Sequence, residues 1–387
     1  MPNYTLKELI LLLIALVMVN SCTEPFEIET TEFENILVID ASITDEFKQH
    51  EIYLSRSFSS GEETSQVSGA RVTVRSDSGD NYEFTERKPG LYVSAIPFSP
   101  SRGIMYTLTV TDENGASYSS SPVTLTNTSE IEEIKANRFT DLSGTDGVQI
   151  TVDGFSDANT GYLRYDYEET YRIDSWFNPQ DSLVVTSQTP PVLEVVKKES
   201  SQKTCYITER SNTILLAETS SLSENKVVDL PVNFIERRAR KVAIRYSILV
   251  RQYAISSTSY EFYETLKKFS SSDNLFSQIQ PGLIAGNIQN DTDPNIKVIG
   301  LFETVSVSEK RIFFGFKDIF GNDISYLGSC EREGFLLNDP VLFDRINSGR
   351  YLFVAEDPPG VINIAPEQCI DCTLLGSTKI PEFWIEE

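Results

Sequence analysis

The chain has 387 residues, with 33 lysines and arginines against 57 aspartates and glutamates, a single histidine and five cysteines. Its net charge of −24 excludes unaided nucleic-acid binding, which needs cationic surface to displace phosphate counterions, and docking to anionic lipid by charge alone. One histidine, His50, leaves no pair to hold zinc or iron, and a content of 40% hydrophobic residues is too apolar for a disordered chain. The length predicts two or three domains.

Lys7 precedes an apolar run from Leu9 to Val19. A membrane-spanning helix needs about 20 such residues, so this shorter run reads as a secretory signal over residues 1–21. Val19-Asn20-Ser21-Cys22 resembles the lipobox of bacterial lipoproteins at Val19, Ser21 and Cys22, with Asn20 less usual. The resemblance implies cleavage before Cys22 and lipidation of that residue, and several acyl chains together hold a protein firmly on a membrane. Residues 22–34, the lipidated Cys and an acidic stretch without a core pattern, read as a spacer. Acidic residues there resemble the surface-export signals of Bacteroidota lipoproteins, which implies the outer membrane and the cell surface.

Residues 35–126 carry short strands separated by turn residues. Ile36 to Ile43 is almost continuously apolar; Ile52 and Leu54, Val72 and Val74, Tyr82 and Phe84, and Tyr106, Leu108 and Val110 each keep a period of two. Asn114-Gly115 marks a tight turn before Tyr118. About seven strands in this span indicate a small β-sandwich. Val67-Ser-Gly-Ala-Arg-Val-Thr-Val74 and Lys88-Pro-Gly-Leu-Tyr92 resemble Ig-like, transthyretin-like sandwiches, modules that imply positioning or contact and no chemistry.

Residues 127–387 also read as β-rich, so the fold class is mainly β: a sandwich followed by a larger β domain with one amphipathic helix. The clearest strand is Val242 to Ile255, where Val242, Ile244, Tyr246, Ile248 and Val250 alternate with a mixed set, Ala243, Arg245, Ser247, Leu249 and Arg251. That mixture predicts an outer face only partly exposed to water. Tyr260 to Lys268 reads as the helix, with Ser259 as N-cap and Lys267 and Lys268 at the favourable end of its dipole. Val298 to Phe302 and Val305 to Phe316 read as a hairpin.

Four cysteines remain besides Cys22: Cys205, Cys330, Cys369 and Cys372, an even set that allows three pairings. Cys369-Ile-Asp-Cys372 has thioredoxin-like spacing but follows Pro366 in a loop-like tail, without the strand and helix that redox chemistry needs. Structural disulfides pinning the tail are the expectation, ahead of zinc. Asp291, Asp293 and Asn295 open a calcium-type loop, but Ile296 stands where glycine is wanted and Phe302 where the bidentate glutamate is wanted, so a polar turn accounts for them more simply. Trp176-Phe177 beside Pro179 is an aromatic pair outside any period, a candidate for contact with a ligand or partner or else a loop tucked on the core. His50, in a polar stretch, reads as exposed. No G-x-S-x-G elbow is present, and no catalytic residue is assigned.

Ser247 to Ser256, the helix from Tyr260, Leu275-Phe276 with Gln280-Pro-Gly282 and Gly286-Asn-Ile288, and the tail from Cys369 to Trp384 together resemble a Bacteroidota lipoprotein family, domain of unknown function 4249. The resemblance implies an accessory lipoprotein partnered by an outer-membrane β-barrel, a TonB-dependent transporter of the starch-utilisation type, in nutrient capture. Two other expectations are a structural subunit of an outer-membrane assembly or secretion complex, and a surface hydrolase. None requires a cofactor beyond the lipid on Cys22.

Overall fold

The computed structural model describes residues 36–57, 65–156, 161–198, 200, 202–220, 224–270, 284, 286–325 and 328–386. Cys22, the signal and the spacer lie outside the described residues. The chain is mainly β, as its alternation predicts.

The first strands are β1 (Leu37–Thr44), β2 (Glu51–Arg56), β3 (Ser65–Gln66), β4 (Arg71–Ser76), β5 (Asn81–Lys88), β6 (Leu91–Ser94), β7 (Met105–Thr111), β8 (Ser117–Ser120) and β9 (Val123–Thr124). Their alternation does what a half-buried sheet requires: Ile39, Ala41, Ile43, Ile52, Leu54, Val72, Val74, Leu108 and Val110 enter one core with Tyr92 and Tyr106. The β7–β8 turn is held by the Asp112 carboxylate, which accepts the Asn114 and Ala116 N–H groups, while Gly115 takes the positive φ of 85° that other residues resist.

The middle of the molecule contains β10 (Ser129–Thr140), β11 (Asp146–Ser156), β12 (Tyr162–Asp174), β13 (Asp181–Gln188), β14 (Pro191–Lys197), β15 (Thr204–Arg210), β16 (Leu215–Glu218), β17 (Lys226–Glu236) and β18 (Arg245–Ala254). After the Ser257–Ser270 helix come β19 (Ile288–Asn290) and β20 (Val298–Gly315), and later β21 (Glu333–Leu336), β22 (Tyr351–Glu356) and β23 (Val361–Pro366). The sheet β10-β11-β17 packs over the strands β15-β12-β18-β20, and a second apolar core of Val148, Ile150, Leu163, Tyr165, Ile248, Val250 and Phe314 fills the space between them.

β20 joins the modules. Its first half runs parallel to β1, from Leu37↔Val298 to Thr44↔Val305, and its second half runs antiparallel to β18, from Ala254↔Ser306 to Arg245↔Gly315. One ladder therefore runs β15-β12-β18-β20-β1-β2-β6-β5-β4-β7-β8-β19. This replaces the expected hairpin with one continuous strand. Glu303 and Thr304 resemble a turn in sequence, but both are buried and extended, and Glu303 finds partners across the seam. Ile288 and Phe302 complete the core of the β1–β8 module.

The helix begins at Ser257, so the cap lies three residues before the expected Ser259: the Ser256 hydroxyl accepts the Ser259 N–H. Two short helices also occur that the hydrophobic pattern does not announce, Phe316–Phe320 and Pro340–Asn347. The second has a local cause, an Asp339 carboxylate accepting the Val341 N–H and a proline in the first turn. It packs with the β13–β14 hairpin and the sheet β21-β23-β22 around Leu183, Leu342, Ile346, Phe353, Ile362 and Ile364.

Two disulfides hold this last region, Cys205–Cys372 and Cys330–Cys369. The two cysteines of the C-x-x-C pair are thus bonded to distant partners and not to each other. Beyond them the tail lies across the outer face of the β15-β12-β18-β20 strands: Trp384 meets Tyr206 and Phe313 edge-on, Arg311 stacks 3.6 Å from the Phe383 ring centroid, and the Arg245 Nε donates to the Ile385 carbonyl at 2.7 Å.

Candidate functional site

The outer face of β12, β18 and β20 carries the mixed half-set seen in the sequence. Strand register places Arg164 opposite Tyr253 and Asp166 opposite Arg251, and on the other side of β18 places Arg251 opposite Glu309 and Leu249 opposite Arg311. The result is a band of alternating charge backed by a largely apolar face, into which Glu169 and Gln252 are buried. The C-terminal tail covers one end, and at the other Tyr263 of the Ser257–Ser270 helix closes over Arg164. Between these ends lies an open cleft of about 390 Å³, walled by Ser42, Thr44 and Lys48–Glu51 from the first module and by Arg164, Asp166, Arg210, Arg251 and Tyr253 from the second.

At the helix end, the Arg164 guanidinium lies between two rings, 4.1 Å from the Tyr253 centroid and 4.9 Å from that of Tyr263. The Tyr263 hydroxyl donates to Glu303 at 2.9 Å and the Ser42 hydroxyl donates to the same Oε1 at 3.1 Å, while Glu303 Oε2 is buried without a hydrogen-bond partner. Burial works against the Arg164 charge; Tyr263, Glu303, Tyr253 and Asp166 outweigh it, and the guanidinium pKa ends above its ordinary value. Burial, with Glu303 adding to it, likewise keeps the Tyr263 phenol protonated far beyond the usual range.

His50 is the wall residue whose sequence reading fails. It is 1% exposed, its Nε2 lies 2.9 Å from the Phe98 carbonyl and its ring packs edge-on to Phe98. Burial lowers its pKa below 6.5, against the Phe98 hydrogen bond, so the ring is neutral near pH 7. The polar neighbours Gln49 and Glu51 hide an inward position on an alternating strand end.

A larger cavity, about 600 Å³, follows the 121–127 connection beside the helix start. Many of its polar groups are turned on one another: the Thr126 hydroxyl donates to the Ala254 carbonyl and accepts the Ser306 N–H, and the Asn287 side chain pairs with both main-chain groups of Phe302, while Glu303 Oε2 and the Thr304 hydroxyl are left without a hydrogen-bond partner. This is the stitching of the seam, and its lining has one charged side chain, Glu303, where the cleft has six.

The residues singled out in the sequence fall elsewhere. Phe177 packs on the cluster of Ala365, Cys369 and Ile370, and its N–H donates to the Cys369 carbonyl at 3.1 Å, whereas Trp176 is 44% exposed. Asp291 accepts the hydroxyls of Ser117 and Ser119, and Asp293 accepts the N–H and the side-chain amide of Asn295, a turn closed on itself at the end of β19. Among the described residues, no group of three or more His, Cys, Asp or Glu side chains is placed to hold a metal. The cleft residues were missed because they come from positions far apart in the chain, from Ser42 to Tyr253. The available signal was Arg251 within the mixed half-set of its strand.

The fold and cleft define a mainly β protein of joined modules whose shared strand brings a charged seam to the surface. Residues 23–311 match the family described as a domain of unknown function, DUF4249, and the chain belongs to that family. The match ends before the Cys369–Trp384 tail. No curated protein matches the chain. Among solved structures, it is similar to a DUF4785 family protein from Legionella pneumophila, with 10% identity over 55% of this chain and 49% of that chain and a TM-score of 0.18. It is also similar to the BSP domain of a biofilm associated protein, with 9% identity over 72% of this chain and 59% of that chain and a TM-score of 0.12. The chain spans about half the length of the Legionella protein, and at these scores neither likeness bears on fold or function.

Proposed function

We propose that the chain is a lipoprotein of the Bacteroidota outer membrane, anchored through Cys22 and exposed at the cell surface, whose body is a non-enzymatic accessory subunit of a TonB-dependent transporter of the starch-utilisation type. In this role it helps to capture or deliver a nutrient. The observation that carries the reading is positional: Val19-Asn20-Ser21-Cys22 ends one residue before the family match begins at residue 23. Among the described residues no helix is long and apolar enough to cross a membrane, so attachment in this reading falls to the acyl chains. The β1–β8 module serves in it as an Ig-like, transthyretin-like spacer, and the charged cleft, open between the helix and the tail, as a place for a polar solute.

Affinity purification of the tagged full chain from mildly solubilised outer membranes tests the reading. A TonB-dependent β-barrel is expected to co-purify, and Cys22→Ala to leave the body in the soluble periplasmic fraction. Recovery without any β-barrel overturns the transporter role, and recovery with assembly or secretion factors instead assigns the chain to such a complex.

A further inference from the structure

The charged cleft differs in sign from the rest of the molecule. In a chain of net charge −24, its lining holds four cations, Lys48, Arg164, Arg210 and Arg251, against two acids, Glu51 and Asp166, with Lys48 paired to Glu46 just outside the lining. Its arginines make long ion pairs, as Arg56 and Arg345 also do outside it at 3.5 Å. A full charge-assisted contact is about 2.7–2.9 Å, the distance that Arg138 reaches to Asp146 elsewhere at 2.8 Å. In the cleft, Arg164 lies 3.6 Å and Arg251 3.5 Å from Asp166, Arg251 lies 3.4 Å from Glu309, and Arg210 lies 3.3 Å from Glu168. The Arg164 Nε and the Asp166 Oδ1 are buried with no hydrogen-bond partner at all. Such groups are costly unless something completes them. Around the arginines stand Ser42, Thr44, Gln49 and Ser211; the first three donate to Glu303, Glu46 and the Ser94 carbonyl and the Ser211 hydroxyl accepts the Tyr167 N–H, which leaves each hydroxyl oxygen and the Gln49 amide oxygen with acceptor capacity.

We propose that this cleft is a binding site for a small polyhydroxylated carboxylate of the uronic-acid class. The planar forks of Arg251 and Arg210 suit the two oxygens of a carboxylate. Asp166 and the hydroxyl and amide side chains of the wall suit the ring hydroxyls, which both donate and accept. A ligand with carboxylate alone leaves the acceptor Asp166 unmatched, and a neutral sugar leaves the arginine forks unmatched. The volume of about 390 Å³ lies within the range of roughly 300–1,000 Å³ usual for small-molecule sites. The inference deepens the nutrient-capture reading and rests on it only for where the ligand comes from.

Calorimetric titration of the detergent-solubilised full chain with digalacturonate, maltose and sodium sulfate tests it. Digalacturonate is expected to bind, with maltose and sulfate each at least tenfold weaker. Arg251→Gln is expected to weaken digalacturonate at least tenfold. Arg210→Gln, at a side chain 76% exposed and therefore safe for folding, is expected to weaken it severalfold, and Arg138→Gln, outside the cleft, to leave it unchanged. No binding of digalacturonate, equal binding of maltose or sulfate, full affinity in both cleft variants, or an equal loss in Arg138→Gln overturns the proposal. Transporter co-purification separates the two readings: the cleft variants are expected to keep the barrel, whereas a wild-type chain that binds digalacturonate without a barrel retains the site and loses the accessory role.

Discussion

The β1–β8 module and the C-terminal region solve the same problem at different scales. The first gathers eighteen buried residues, three of them tyrosines and three phenylalanines, into one core. The second gathers six around Leu342 and Ile364, and is tied down by two disulfides that close spans of 167 and 39 residues. A small core buries too little apolar surface to offset chain entropy, and cross-links make up the difference by restricting the unfolded chain. The first module depends on burial, the last on covalent bonds.

Removing the bonds gives the largest expected effect. By loop length, the Cys205–Cys372 bridge is worth about 5 kcal/mol and the Cys330–Cys369 bridge about 4 kcal/mol. Cys205→Ser is therefore expected to strip hydrogen-exchange protection from residues 328–386 while residues 65–124 keep theirs. Equal loss in both regions would break the contrast. Removing burial is the converse test. Phe302→Ala, at a ring with no exposed surface, is expected to cost about 3–5 kcal/mol in denaturant unfolding and to strike the β1–β8 module first, although the residue lies on β20.

A smaller effect is expected between the two, where polar groups lie inside the middle core. Tyr246 is fully buried and its hydroxyl donates to Glu169 at 2.7 Å. Tyr246→Phe is expected to cost about 1–3 kcal/mol in the same assay, with no change in the disulfide-linked region. The smallest effect concerns His50. Its pKa is lowered in the folded chain, so above about pH 6.5 both folded and unfolded forms are neutral and stability does not depend on it. As pH falls below that value the unfolded chain takes up a proton that the folded chain resists, and stability declines. His50→Gln is expected to flatten the acid side of a stability–pH curve between pH 5 and 7, and an unchanged curve would show that the ring titrates alike in both states.

The strands were legible where one face is apolar and the other wet, as in β2 and β7, because a period of two survives in sequence. They were less legible where both faces are covered. Glu303 and Thr304 look like a turn, yet the partners that make them tolerable inside β20, Ser42 and Tyr263, come from β1 and the helix. The same reason hides the cleft: no local pattern records that Arg164, Asp166 and Arg251 converge with Lys48 and Gln49. Cysteine number was informative and cysteine pairing was not, since pairing is a property of the folded tail. The Asp339-Pro340 start of the last helix is a legible signal, but the helix spans only eight residues and has little periodicity to show.

The shared strand has a mechanical consequence. β20 has 18 residues, about 60 Å of extended chain, and β1 runs beside its first half in the same direction. A chain tethered through its N-terminus receives any pull at Leu37, while the opposing load from the second module enters at the far end of β20. Two parallel strands drawn apart in this way are sheared along their length, so their hydrogen bonds resist together and do not open one after another as in a zipper. In a chain anchored as proposed, β1 is thereby the first of the described strands to receive the pull, and it is paired in the geometry that resists it.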